Sequence, residues 1–231
     1  MSISEKLITI TENVSKVYEK GKDYIWEVVQ QKGKRKDYSY AFAHWDTDYI
    51  RPKYKVVPTD VASGNQPFSK SKIKKVETEY FDFSQKPRGT TYSQGWYYTF
   101  STCSKLEEIE DIGMQADYYY MWTFPWCYNL HTIEVLRTDE NTFWGNAFDS
   151  CYALKNLTIE GTIGKNGFNV RWSTELTKES LLSILKALSL DITTTTTITF
   201  STVHQSIIET DSDCKPYWQA AKDAGWSFVY A

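Results

Sequence analysis

A chain of 231 residues, 41% hydrophobic and 24% charged, is long enough to bury a sizeable core in one or two domains. Its formal charge of −3 and pI near 5.7 leave no basic face to follow a phosphate backbone, and no window of 18 apolar residues is present to span a membrane. Aromatic residues reach 16%, with 9 Trp and 17 Tyr, and too many have polar neighbours for all of them to be core.

Taken in order, the N-terminus MSISEKLITITENVSKV lacks an apolar stretch and a small-residue cleavage site, so no secretory signal is expected. Residues 4–32 read as a helix, with Val14, Val17, Tyr18, Tyr24, Ile25, Val28 and Val29 on one stripe that Gly21 interrupts and Gly33 ends. Such a helix is expected to cap the first repeat unit or to pair with a second copy of the chain. From Tyr38 to Val57 the aromatic and β-branched string predicts two short strands or an irregular packed loop. His44, Asp46 and Asp48 are spaced as candidate metal ligands, against the alternative of a turn whose carboxylates hold nearby backbone. VASGNQP at 61–67 is a loop, and Lys70, Lys72, Lys74 and Lys75 read as a solvated edge.

Residues 94–165 write one 24-residue unit three times: QGWYYTFSTCSKLEEIEDIGMQAD, YYYMWTFPWCYNLHTIEVLRTDEN and TFWGNAFDSCYALKNLTIEGTIGK. Four columns coincide: Phe100, Phe124 and Phe148; Cys103, Cys127 and Cys151; Leu106, Leu130 and Leu154; and Ile109, Ile133 and Leu157. With 4 Cys and 11 Phe in the chain, composition does not produce such triples. Phe68, Ser71, Ile73 and Val76 repeat the pattern imperfectly, as an opening unit with Ser in the cysteine column. A fixed period of this length predicts a solenoid whose units bury each other's apolar sides. The Leu-x-x-Ile segment is expected to be the stacking strand, with Phe and Cys pointing inward from the opposite turn. The cysteines read as reduced core thiols, and without a C-x-x-C pair no structural zinc and no cofactor are expected.

Aligned units also bring aromatic residues into columns: Trp96, Tyr120 and Trp144; then Tyr119 and Phe143 beside Gly95; then Tyr98 and Trp122, with Trp126 in the second unit alone. Adjacent columns alternate in direction, so at least one is expected to face solvent as an aromatic ribbon able to hold a protein or a glycan.

Beyond the repeats, GTIGKNGFNV at 161–170 closes the array. Thr177 is placed as the N-cap of a helix whose apolar face is Leu181, Leu182, Ile184, Leu185 and Leu188. ITTTTTITF at 192–200 predicts a strand, Asp211 to Ala224 a helix stopped by Gly225, and WSFVY a last strand. The expected fold class is therefore α+β, a short leucine-rich-repeat β-solenoid with an N-terminal helix and a C-terminal α/β cap. Its segments are a capping region 1–60, repeats 61–170 (units near 68–93, 94–117, 118–141 and 142–165) and a cap 171–231.

The wording F-x-x-C-x-x-L-x-x-I resembles the leucine-rich repeats of BspA-like bacterial surface proteins, over about a third of the chain. The first half of the N-terminal segment, EKLITITENVSKVYEKG, resembles short helices of phage tail-associated repeat proteins. The resemblance implies a non-enzymatic binding or structural module of a phage or prophage tail, contacting a protein or glycan on a bacterial or host surface. Such a component is made in the cytoplasm and leaves with the particle. The alternative is a cell-surface adhesin, although the export and wall-anchoring segments of that pattern are not seen. An enzyme is not expected: hydrolase, metalloprotease and nucleotide-binding signatures are missing, and His44, His131 and His204 are far apart. A cysteine-dependent enzyme using Cys214, or the His44 group, is the remote alternative.

Overall fold

The computed structural model describes residues 14–20, 23–28, 42–51, 55, 67–83, 98–113, 120, 122–164 and 167–231. Its centre is a four-stranded parallel sheet of β4 (Lys75–Val76), β5 (Glu108–Gly113), β6 (Thr132–Thr138) and β7 (Asn156–Gly161), in that order. Glu108 pairs with Thr132 and Thr132 with Asn156, so β5, β6 and β7 lie side by side at the 24-residue repeat, with a register shift between Ile133 and Leu136. Lys75 of β4 pairs with Glu108 across a longer excursion. A unit that returns the chain to the same point in the same direction makes parallel pairing the natural outcome. Three helices follow the sheet: α1 (Lys178–Ala187), α2 (Gln205–Thr210) and α3 (Lys215–Asp223). The expected α+β solenoid is thereby corrected to an α/β fold, a parallel sheet whose last strand is covered by helix.

The expected N-terminal helix is also corrected. Over the described part of residues 4–32 the chain forms two antiparallel strands, β1 (Val14–Lys20) and β2 (Asp23–Val28), with Lys20 opposite Asp23. Tyr24, Trp26 and Val28 alternate along β2, and a β-branched and aromatic composition suits a pleated surface better than a helix that Gly21 would interrupt. The rest of that expected helix lies outside the described residues. β2 pairs in parallel with the two-residue strand β3 (Tyr49–Ile50).

The F-x-x-C turns form a second ladder. The amide of each Phe donates to the residue preceding the next unit's Phe: Phe68 to Thr99 at 3.0 Å, Phe100 to Thr123 at 2.9 Å, Phe124 to Ala147 at 2.9 Å. Phe42 does the same to Pro67 at 2.7 Å. Phe42, Trp45 and Ile50 thus occupy the columns of Phe68, Ser71 and Val76 and form a further degenerate unit within residues 38–57. The Phe rings stack through the molecule, with centroids 4.7 Å apart from Phe42 to Phe68, 5.1 Å to Phe100, 5.9 Å to Phe124 and 5.4 Å to Phe148.

Phe100, Phe124, Phe148, Cys103, Cys127, Cys151, Leu106, Leu130, Leu154, Ile109, Ile133 and Leu157 are all buried. Each such side chain stabilises by roughly 1.5–3 kcal/mol. Each cysteine Sγ–H donates to a Phe carbonyl one unit back: Cys103 to Phe68 at 2.9 Å, Cys127 to Phe100 at 3.0 Å and Cys151 to Phe124 at 3.2 Å. A small apolar side chain that still carries a donor explains why cysteine recurs in this column.

The sheet edge is closed by α1. Thr177 caps the helix by accepting from the Ser180 amide at 3.2 Å. The β7 amides of Leu157 and Ile159 donate to Ser180 Oγ at 2.9 Å and Ser183 Oγ at 2.8 Å. Two serines three residues apart on a helix thus satisfy donors that a further strand would otherwise have taken. In the rest of the cap, β8 (Thr196–Phe200) pairs in parallel with β9 (Trp226–Tyr230). The helix expected over 211–224 is shorter, because Asp211 Oδ1 accepts from the amides of Asp213 at 2.9 Å and Cys214 at 3.4 Å, making a turn that separates α2 from α3. Gly225, at φ 107°, ends α3.

Candidate aromatic surface

Tyr120 and Trp144 leave the expected ribbon, because both are fully enclosed. They stack on each other at 4.9 Å, and Trp144 meets Phe168 edge-on at 4.8 Å, so this column is a second spine beside the Phe rings. Tyr120 Oη donates to the Arg137 carbonyl at 2.8 Å, which gives its hydroxyl a partner inside the core. Phe143, the preceding residue, is 37% exposed, as alternation along an extended segment requires. Trp96 and Tyr119 lie outside the described residues.

Tyr98, Trp122 and Trp126 are half-buried at the rim of the turns. Tyr98 stacks on Trp122 at 5.9 Å, and Trp122 meets Trp126 at 6.0 Å. All three have left-handed backbone, with φ of 53°, 55° and 61°. The unit requires such a residue two positions before and two after its Phe: Asn146 and Ser150 fill the same places in the third copy at 53° and 60°. Asn adopts that conformation readily, whereas a bulky aromatic there is an outlier that costs on the order of 1–3 kcal/mol.

A second exposed run leaves the same turns on the other side of the cysteine column. Tyr128 and Tyr152 are each 45% exposed, and their rings lie 6.1 Å apart with planes 6° from parallel. Trp172 continues the run, edge-on to Tyr152 at 5.7 Å. Its indole Nε1 donates to Asp149 at 2.8 Å, and the Arg171 guanidinium lies 4.7 Å over its ring. The sequence reading missed Tyr128, Tyr152 and Trp172. The signal available was Tyr directly after Cys in two successive units, whereas Trp172 breaks the 24-residue spacing.

The remaining candidates are dispersed or already engaged. Asp46 pairs with Lys72 at 2.9 Å, and Asp48 with Lys74 at 3.5 Å and Lys105 at 3.7 Å, while His44 is exposed on a left-handed turn. The carboxylates of the proposed metal group therefore face lysines, and no group of three or more His, Cys, Asp or Glu able to hold a metal ion is found among the described residues. Burial pushes the thiols of Cys103, Cys127, Cys151 and Cys214 above the ordinary value, which suppresses the thiolate. His131 is exposed beside Thr132, and buried His204 lies with Nε2 2.8 Å from the Ser173 carbonyl.

On the outer face of the sheet, Lys75 bridges Glu108 at 2.7 Å and Glu110 at 2.8 Å. Glu134 is pushed above the ordinary carboxyl range by burial and by the adjacent Glu108 and Glu110. Among the described residues no helix is long and apolar enough to cross a membrane. Comparison with protein-family models, with curated proteins and with solved structures returns no match.

Proposed function

We propose that this chain is a non-enzymatic binding module that docks a protein partner on the aromatic rim of its repeats. The observation that carries this reading is the left-handed backbone at Tyr98, Trp122 and Trp126, at positions that the third unit fills with Asn146 and Ser150. Asn and Ser hold the same backbone in the third unit, so folding does not require aromatic rings there, and their half-exposed rings are left for a partner. Exposed Tyr128, Tyr152 and Trp172 extend the same surface.

A protein is favoured over a glycan by the ring geometry. Tyr98 stacks on Trp122 and Tyr128 on Tyr152 along the ladder, so part of each ring face is already taken up by a neighbouring ring. Ring edges with polar tips suit the packed centre of a protein interface, whereas sugar stacking needs an open ring face. The resemblance to BspA-like repeats supplies the setting, a phage or prophage tail or a bacterial surface.

The test is a photo-cross-linking residue placed at Tyr152, with Lys186 on α1 as control position, followed by purification of the captured protein and measurement of its affinity. Replacing Tyr128 and Tyr152 by Ser is expected to weaken binding at least tenfold. Unchanged affinity, or an oligosaccharide array that binds through the same tyrosines, would overturn the protein reading.

A further inference from the structure

Strand edges in this protein are finished in two ways. Beyond β7 the amides of Leu157 and Ile159 are taken up by serines of α1, whereas β9 pairs with β8 on one side and with no strand on the other among the described residues. The Ala231 amide donates to the Phe200 carbonyl at 3.0 Å, and backbone groups alternate in direction along a strand. Ser227 and Val229 therefore turn their N–H and C=O toward β8, while Phe228 and Tyr230, both half-buried, turn theirs to the open side. Exposed edges are usually blunted by charge, proline or a bulge, and the WSFVY of β9 has none of these. Val229 adds an apolar side chain that is 40% exposed.

An edge of this kind is completed by a further strand, and β9 is complementary to itself. Placed antiparallel about a two-fold axis at Val229, it sets Phe228 opposite Tyr230 of the second copy, and Tyr230 opposite Phe228 of the second copy. Both are hydrogen-bonded pairs that exchange two bonds each, so the groups pointing outward are all used. Val229 falls on the axis, in a non-hydrogen-bonded pair with its own counterpart, where side chains lie closest.

Charge fits the same register. Glu209 of α2 lies beside Tyr230, toward the end of β9, and Lys222 of α3 lies beside its start, because Gly225 turns the chain from α3 directly into the strand. Within the chain, Glu209 accepts from Gln205 at 3.3 Å and Lys222 lies 4.5 Å from the Trp218 ring centroid, and neither forms an ion pair among the described residues. Antiparallel pairing inverts one copy against the other, so Lys222 of each is carried toward Glu209 of its mate.

We propose that β9 is the contact by which two copies of this chain pair, strand against strand and antiparallel, about a two-fold axis at Val229. The contact is isologous and small, so the dimer is weak, with a Kd on the order of 10–100 μM. It uses none of the aromatic rim and does not rest on what the rim binds.

Sedimentation equilibrium of the full chain should find a monomer–dimer equilibrium in that range. Val229→Lys sets two like charges against each other on the axis and should leave a monomer with an unchanged melting temperature. Glu209→Lys should weaken pairing about tenfold, and adding Lys222→Glu should restore it, which loss of the fold would not allow. Oxidising the Val229→Cys variant should give a disulfide-linked dimer, since Cα atoms about 4.5 Å apart are within disulfide reach and the native thiols are buried. Ser227→Cys, off the axis, should not cross-link, and Tyr152→Ser should leave pairing intact. A chain monomeric up to about 1 mM, whether β9 stays open or takes a strand from another protein, would overturn the proposal. So would a dimer that Val229→Lys does not weaken, or a Val229→Cys variant that fails to cross-link.

Discussion

Phe124 is the residue on which the stacked core can be tested most sharply. Its ring is fully buried between Phe100 at 5.9 Å and Phe148 at 5.4 Å, with interplanar angles of 4° and 19°. Truncating a core Phe to Ala costs about 3–5 kcal/mol, and a site held from both sides by repeating neighbours cannot collapse, which places Phe124→Ala near the upper end. Against a total stability of about 5–15 kcal/mol that is a large fraction, and it corresponds to a melting temperature lower by roughly 8–20 °C. Guanidinium unfolding monitored by circular dichroism would read it as a lower midpoint at constant slope. A double-mutant cycle of Phe124→Leu with Phe148→Leu should show a coupling of about 0.5–1.5 kcal/mol. Phe100→Leu with Phe148→Leu, separated by the intervening ring, should be additive. A loss below about 1.5 kcal/mol for Phe124→Ala, or equal coupling in both cycles, would refute the ring-on-ring account.

Three further outcomes rest on named contacts. Trp122→Asn, which copies Asn146 of the next unit, loses two ring contacts but releases a left-handed backbone, so calorimetry should find stability within about 1 kcal/mol of the parent. A clearly larger loss would mean that Trp122 is there for packing. The four thiols should stay silent to a thiol reagent until the chain unfolds, since all are buried, and rapid labelling of native Cys214 would contradict its place in the core. Glu134 binds its proton more tightly folded than unfolded, so its ionisation lowers stability as pH rises through the window that opens at the ordinary carboxyl value of 4.5. Glu134→Gln should therefore be slightly more stable than the parent at pH 7, by less than about 0.5 kcal/mol at this exposed site, with the gain gone at pH 3.5. A gain that persists at pH 3.5 would point to packing instead of charge.

The repeat was legible because Phe and Cys are scarce enough that three coincidences in register carry information, and the sheet pairs those units at the same 24-residue offset. Thr177, Gly225 and the WSFVY strand were readable from local capping and strand chemistry. The N-terminal strands were not, because Val14, Val17, Tyr18 and Ile25 satisfy a helical spacing as well as a strand composition, and the pairing of β1 with β2, and of β2 with β3, decides between them. The unit beginning at Phe42 was hidden by Trp45 in the cysteine column. Period alone does not say which aromatic column turns inward, so it leaves Tyr120 and Trp144 as candidates for the exposed ribbon, whereas a hydroxyl bonded to the Arg137 carbonyl lets a tyrosine be core. Likewise the serines of α1 carry no sequence mark that they receive the amides of β7.

The central claim is that aromatic side chains sit on strained turns of the repeat because a protein partner uses them. The most direct measurement is isothermal titration of the cross-linked and purified partner against the Trp122→Asn/Trp126→Ser double variant, which gives the second unit the residues of the third. The account predicts a folded variant whose affinity is lower by at least about 2 kcal/mol, roughly thirtyfold. A variant that folds and binds within twofold of the parent would contradict it.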